Sequence, residues 1–509
     1  MSSEIDFKLN VFDDYLLELQ RTFNNIAFKR VAKVDNMFVT NPINKSSSND
    51  VRIFTETQVK RSLIGCFSSF MSNSVKEKLS YFSKGEDQDV IYKFDSVRDL
   101  KSGEKYAIQN VGHSTILIQL PGINILTDPV FNDLSKLLYP AKTLSHPTVD
   151  QLPRVDVIII SHNHQDHIDK NSLQNILKAF KKKGWVLPAV FVPMGDKKLL
   201  QSFGFEQVEE VEWYTKISVV KDDNTVNFIS IPADHRSGRY GMDHHRSLVT
   251  GWIINPEQND VIFKYSGDTR SLTDENQIAV DAVMWSEIKK KAFNVRNNEV
   301  NDVPDIICFE PSGPNYTRCD MDVTHQSTSY SALIKFVEAE NLAKLSNKMT
   351  EVIIKKIKTI MMHHNKFEFG PDRFNEGLFI FKKLLLYLDL NGDNLNQEFL
   401  RQQEKLNLNL DREKLKKNSP ILARPLIASL PTRTSLLVHA KDFIIKDYLD
   451  VSKKIEGLGE EQIKQYFNEY LPRNTIFPKI GERLNDEQIN NSLFELKNVP
   501  KYNKKENII

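Results

Sequence analysis

Asp156 to Asp169 reads Asp-Val-Ile-Ile-Ile-Ser-His-Asn-His-Gln-Asp-His-Ile-Asp, an apolar run that breaks into four groups able to ligate a metal. His162 and His164 stand two apart, so in extended chain their rings project to one side, while Asp166 and His167 follow where the backbone turns. Imidazole and carboxylate are donors that zinc accepts, and a catalytic zinc keeps one coordination position open for water. The stretch therefore offers two histidines toward one ion, and an aspartate with a histidine toward a second. A lone histidine is more often a satisfied polar group. Three of the chain's twelve histidines within six positions point instead to metal.

These groups have to be held, and the pattern around them says by what. Val157 to Ile160 is a short β-branched run of the kind that forms a strand buried on both faces. Three further apolar runs end in the same way: Val226 to Ile231 before His235, Val261 to Ser266 before Gly267-Asp268-Thr269, and Lys358 to Met362 before His363. Each delivers one ligand at its carboxyl end, the edge where α/β sheets gather their sites. The set assembles a dinuclear centre from His162, His164, Asp166, His167, His235, Asp268 and His363. Two metal ions at such a centre, bridged by Asp268, would make water acidic enough to attack a phosphoryl or acyl group at neutral pH.

The neighbourhood adds candidates with alternatives. Asp169, just past the ligands, either hydrogen-bonds an imidazole N–H from behind or is solvated. Arg236, Arg239 and Arg246 match phosphate oxygens in a bidentate fork, with ordinary surface pairing as the competing account.

The order of these residues resembles the metallo-β-lactamase superfamily, and within it the branch of N-acyl-phosphatidylethanolamine-hydrolysing phospholipase D. Beside His162-x-His164-x-Asp166-His167, His235, Asp268 and His363, the supporting residues are Gly112-His113-Ser114-Thr115, Thr127-Asp128-Pro129-Val130-Phe131, Ser237-Gly238-Arg239, Met242-Asp243 and Gly251-Trp252. The resemblance covers roughly residues 105 to 370. It implies an αβ/βα four-layer sandwich, two zinc ions per chain, and hydrolysis of N-acyl-phosphatidylethanolamine to N-acylethanolamine and phosphatidic acid. It also implies that Asp128 buttresses the site, where the residues alone equally fit a turn-initiating Asp-Pro. His325 would sit at the active site without being a primary ligand, or would be structural. His363 is preferred to His364 because Phe367 then aligns. The chain departs from the branch at Gln165, at Arg236 and over His364-Asn365-Lys366, changes that alter a pocket rather than a metal site. Other expectations on the same site are a sugar-phosphate lactonase, a nuclease, or a non-catalytic metal-binding scaffold.

Around this core, 509 residues leave room for extensions: a helical one over 1–100, the catalytic domain over 101–388, and a C-terminal one over 389–509 that completes the second half of the sandwich or stands apart. Residues 8–32 place Leu9, Phe12, Leu16, Leu19, Phe23 and Ile26 at helical spacing, which predicts an amphipathic helix packed on the domain or resting on a membrane. Leu378 to Leu388 predicts a buried helix, or a lipid-facing one. Sixty-eight basic against 67 acidic residues show none of the basic excess of a nucleic-acid binder. Three cysteines without a C-x-x-C pair fit a reducing compartment. Neither a signal peptide nor an eighteen-residue apolar run is present, so the expectation is a cytoplasmic protein with peripheral membrane contact.

Overall fold

The computed structural model describes residues 8–12, 14–29, 32–34, 37–39, 100–131, 148–239, 243, 245–269, 272, 274–293, 303–311, 356–362, 475–476, 478 and 481–491. In chain order the described elements begin with β1 (Lys8–Phe12), α1 (Tyr15–Thr22), β2 (Ala32–Val34), β3 (Met37–Val39), β4 (Ala107–Gly112), β5 (Thr115–Leu120), β6 (Ile123–Thr127) and β7 (Val157–Ile159). They continue with α2 (Lys170–Lys183), β8 (Ala189–Pro193), α3 (Lys197–Phe203), β9 (Val208–Val211), β10 (Lys216–Lys221), β11 (Asn224–Pro232), β12 (Thr250–Pro256) and β13 (Val261–Tyr265). The last are α4 (Asp274–Phe293), β14 (Asp305–Pro311), β15 (Ile357–Met362), β16 (Thr475–Ile476), β17 (Arg483–Asn485) and α5 (Asp486–Asn491).

Two large mixed sheets result. One runs β1-β10-β11-β12-β13-β14-β15-β16 and the other β17-β4-β5-β6-β7-β8-β9. Alternation along the strands explains why these runs are apolar on both sides. Val157 and Ile159 of β7 face Phe228, Trp252 and Phe263 of the opposite sheet across the inner core. Ile158 and Ile160 point outward, against Leu173, Ile176, Leu177 and Phe180 of α2. On the far side, Ile229, Ile231, Ile253 and Ile262 pack outward against α1 and against Ala279, Val283 and Ile288 of α4. Helix, sheet, sheet, helix is the αβ/βα sandwich.

Helix α2 ends as its sequence dictates. Gly184 adopts φ 65°, its N–H closing on Lys181 O and Phe180 O, with Lys181, Lys182 and Lys183 in the negative last turn.

The amino-terminal stretch corrects the reading of 8–32 as one helix. Lys8 to Phe12 is instead a strand, paired antiparallel with β10 from Lys8 opposite Val220 to Phe12 opposite Lys216, and the helix is confined to Tyr15–Thr22. An open sheet edge offers main-chain partners that outweigh a helical side-chain period carried by so few residues. Leu16 and Leu19 are core, while Val11, Phe12 and Leu17 stay 48%, 38% and 52% exposed.

From the other end of the chain, β16 pairs with β15 and β17 with β4, so the far C-terminal residues contribute a strand to each sheet. Arg483 secures the second of these with a two-pronged pair to Glu104. Among the described residues no helix is long and apolar enough to cross a membrane.

Candidate metal centre

The parallel strands β7 and β13 and the antiparallel β11 deliver their carboxyl ends to one edge. Gly267 makes the closest approach possible. At φ 56° a side chain there is strained, and an added Cβ would lie 2.3 Å from Ser161 Cβ. The loop after β13 thus drops Asp268 directly beside the loop after β7. Trp252 Nε1 donates to Ile160 O at 2.9 Å and Thr250 N to Ser161 O at 3.0 Å, tying the loop after β7 to β12 from below.

Two groups of donors form there. His162, His164, His235 and Asp268 present atoms all within 4.8 Å of one another, and so do His113, Asp166 and His167. Asp268 Oδ2 belongs to both neighbourhoods, at 3.3 Å from His167 Nε2, 3.6 Å from His235 Nε2 and 3.9 Å from His162 Nε2. Atoms sharing one tetrahedral zinc at its usual bond length are separated by about 3.3 Å, so these spacings suit a small cation between them. Nitrogen and oxygen donors alone also suit iron or manganese.

Electrostatics favour cation binding. Burial, reinforced by the charges of His167 and His164, holds His162 well below the ordinary imidazole range. Burial likewise takes His164 down to about 3, against the pull of Asp166 and with the push of Arg236. Both rings therefore offer lone pairs. His167 goes the other way: burial opposes its proton, but Asp268 and Asp128 together outweigh burial and raise it well above the ordinary value. Burial would also raise Asp166, yet its bond from His113 and the charges of His167, His113 and His164 hold it well below the usual carboxylate range.

Asp128 lies behind the His167 ring, with both carboxylate oxygens hydrogen-bonded. One oxygen accepts from His167 Nδ1 at 2.6 Å, from the Ser161 hydroxyl and from the Tyr265 hydroxyl, and the other from Ser161 N. Fixing Nδ1–H of His167 leaves Nε2 aimed at the ligand position.

Two candidates have main-chain partners in the fold. Asp169 caps α2: its carboxylate accepts from Asn171 N, Ser172 N and Ser172 Oγ. An acid directly before a helix finds unpaired main-chain N–H groups closer than any ring. Arg239 donates Nη1 to Asn163 O at 3.0 Å and to Ile168 O at 2.8 Å, clasping the ligand loop from both ends. Arg236 is half-buried with its charge felt at His164, and Arg246 is exposed. His325, His363 and His364, and Leu378 to Leu388, lie outside the described residues; β15 ends at Met362, directly before His363.

Ser161, Tyr265 and His113 are contacts the sequence reading did not place in the site. A hydroxyl or a ring that acts through a ligand carries no spacing signal of its own.

Beneath the ligand loop, Asn163 Nδ2 and Asp196 meet at Ser247 Oγ, at 3.1 Å and 2.7 Å. Burial pushes the Asp196 carboxyl up to about 7, against hydrogen bonds from Ser247 and Asn163. The folded chain therefore keeps a proton that the unfolded chain releases from about pH 4, so stability is lost as pH rises from there to about 7, at up to ~1.4 kcal/mol per pH unit. Asp196→Asn, neutral and of the same shape, is expected to flatten that dependence and to melt above the wild type at pH 8. Thermal melts at pH 5 and pH 8 read this directly; parallel curves for the two proteins would remove Asp196 as the cause.

Residues 123–286 match the family model of the beta-lactamase superfamily domain. Over 177 residues the chain is 32% identical to the N-acyl-phosphatidylethanolamine-hydrolyzing phospholipase D, mitochondrial, of Saccharomyces cerevisiae, covering 34% of this chain and 36% of that protein. Over 168 residues it is 30% identical to N-acyl-phosphatidylethanolamine-hydrolyzing phospholipase D 1 of Caenorhabditis elegans, covering 31% and 45% respectively. The chain thus spans less than half the length of these relatives. Among solved structures, Igni18, a metallo hydrolase of Ignicoccus hospitalis, is similar at 19% identity over 51% of this chain and 83% of that one, with a TM-score of 0.29.

Proposed function

We propose, for a chain that carries a beta-lactamase superfamily domain over residues 123–286, that it is a hydrolase holding two zinc ions and cleaving N-acyl-phosphatidylethanolamine to N-acylethanolamine and phosphatidic acid. One observation carries the reading: Asp268 Oδ2 faces Nε2 of His162 and His235 from one group and Nε2 of His167 from the other, within 3.9 Å of each. The two phospholipase relatives supply the substrate class.

Bound there, zinc supplies Lewis acidity toward a phosphoryl oxygen and brings the ionisation of water near neutral pH. The chain does the rest. His162 and His164, kept from protonation by burial, present neutral rings beside His235 and Asp268, and Asp166 with His167 presents the second set. His363, following β15, is assigned to that second set. Asp128 keeps the His167 ring from turning, and the Tyr265 hydroxyl, held neutral by burial and by Asp128, stays a donor to it. Arg236, beside His164, is assigned to the phosphate, with Arg246 at the rim. His325 is assigned to the proton of the leaving alcohol.

A lipid substrate needs an approach from a membrane surface. Phe12 pairs with Lys216, which pairs with Ile229. This end of β1 is therefore the end toward which β11 runs before His235, and it carries the exposed Val11, Phe12 and Leu17.

The experiment is to load the full chain with zinc and offer vesicles of N-acyl-phosphatidylethanolamine. Phosphatidylcholine vesicles, single-stranded RNA, a cyclic nucleotide and a sugar-phosphate lactone serve as parallel substrates. Mass spectrometry is expected to find phosphatidic acid with N-acylethanolamine. Turnover of only a water-soluble substrate would move the chain to another branch of the superfamily and make the exposed apolar corner irrelevant to catalysis.

A further inference from the structure

His113 stands at the corner between β4 and β5, in Gly112-His113-Ser114-Thr115, and its backbone is left-handed at φ 57°. A residue with a full side chain rarely adopts that conformation, and it persists only where surrounding contacts over-determine it. Both neighbours are pinned. Gly112 N donates to Asn110 Oδ1 at 3.0 Å, and Asn110 is itself tied to the C-terminal segment through Pro478 O, Gly481 and Glu482. Ser114 O accepts from Thr127 Oγ1 at 2.6 Å and from Tyr265 OH at 3.2 Å. The strained turn therefore has one direction in which to send its side chain, and that direction is the metal centre. The ring is buried, its Nε2 lies 3.2 Å from Asp166 Oδ2, and its edge rests on the His167 ring with centroids 5.4 Å apart. Asp166 is the more open of this pair of candidate ligands, with 25% of its side chain accessible, so it is the one that can swing out of position.

We infer that His113 is a positioning residue for the second cation: its Nε2–H holds the Asp166 carboxylate in the orientation that binds metal, and the left-handed turn at the β4–β5 corner exists to aim it. This rests on the two-cation reading above. In that arrangement Nε2 carries the hydrogen and donates to the carboxylate. The far C-terminal residues enter the site indirectly, because Pro478, Gly481 and Glu482 brace Asn110, and Asn110 braces the turn.

Two substitutions separate aim from strain. Asn tolerates a left-handed backbone, so His113→Asn keeps the turn but is too short to reach Asp166. His113→Gln reaches further and can donate an amide N–H. The full chain and both variants are titrated with zinc against a chromophoric chelator, and the metal-free proteins are melted in parallel. Losing an outer hydrogen bond to a ligand typically weakens a metal site about 10- to 100-fold. His113→Asn is expected to lose that much for the second equivalent of zinc only, with the first equivalent and the metal-free melting temperature close to wild type. His113→Gln is expected to recover part of the affinity. An Asn variant that binds both equivalents as the wild type does, or that weakens both equally, overturns the inference and leaves the two-cation reading standing. A wild type that takes up one equivalent overturns both together.

Discussion

Replacing Asp268 with asparagine is expected to lower turnover by on the order of 10³-fold while the chain stays folded. Its Oδ2 stands between three ring nitrogens drawn from both donor groups. Two cations brought that close repel each other, and a full negative charge between them offsets the repulsion where a neutral amide does not. Asparagine is nearly isosteric, and Gly267, which sets the close approach to Ser161, is untouched. The fold should therefore report little. Turnover on N-acyl-phosphatidylethanolamine vesicles, circular dichroism and metal content measured on one preparation test this. Undiminished turnover with normal metal content would make Asp268 a residue of the turn after β13 and nothing more.

The second large effect concerns the metal itself. Wild type is expected to hold about two zinc ions per chain, and the double variant His164→Ala, His167→Ala close to none, since it removes a ligand from each donor group. Elemental analysis after gel filtration reads the content and identifies the metal. Affinity should also fall as pH falls. A ligand must shed its proton before it binds, and His167, held between Asp128 and Asp268, has its proton affinity raised well above the ordinary imidazole value. His164, taken by burial to about 3, adds no such dependence near neutrality. Wild type with no bound metal, or a double variant that keeps its full content, would end the dinuclear reading.

Much of this was legible because strands and ligands are local features. A β-branched run such as Val157 to Ile160 is buried on both faces whichever sheet it joins, and polar residues at its carboxyl end emerge at a sheet edge. The two-residue spacing of His162 and His164 fixes their relative direction within one peptide segment. Apolar runs likewise marked β11, β13 and β15 as strands, and Lys181-Lys182-Lys183-Gly184 marked the end of a helix.

What the sequence could not decide was competition between partners distant along the chain. Leu9 and Phe12 fit a helical period, and the exposed edge of β10 overrode it by offering main-chain hydrogen bonds. Asp169 had two candidate employers and went to the nearer one, the unpaired N–H groups of α2. The place behind His167 is held by Asp128, 39 residues away. Arg239 found the carbonyls of Asn163 and Ile168 more than 70 residues away in sequence. His113 stood in a motif without a stated role until the fold carried it to Asp166, 53 residues on. Local sequence determined which residues could ligate a metal and which strands would carry them, because both depend on the chemistry and geometry of a few consecutive residues. Only the tertiary structure determined which groups hold the ligands in place, because a hydrogen bond goes to whichever partner packing brings within 3 Å or so, and packing is a property of the whole chain.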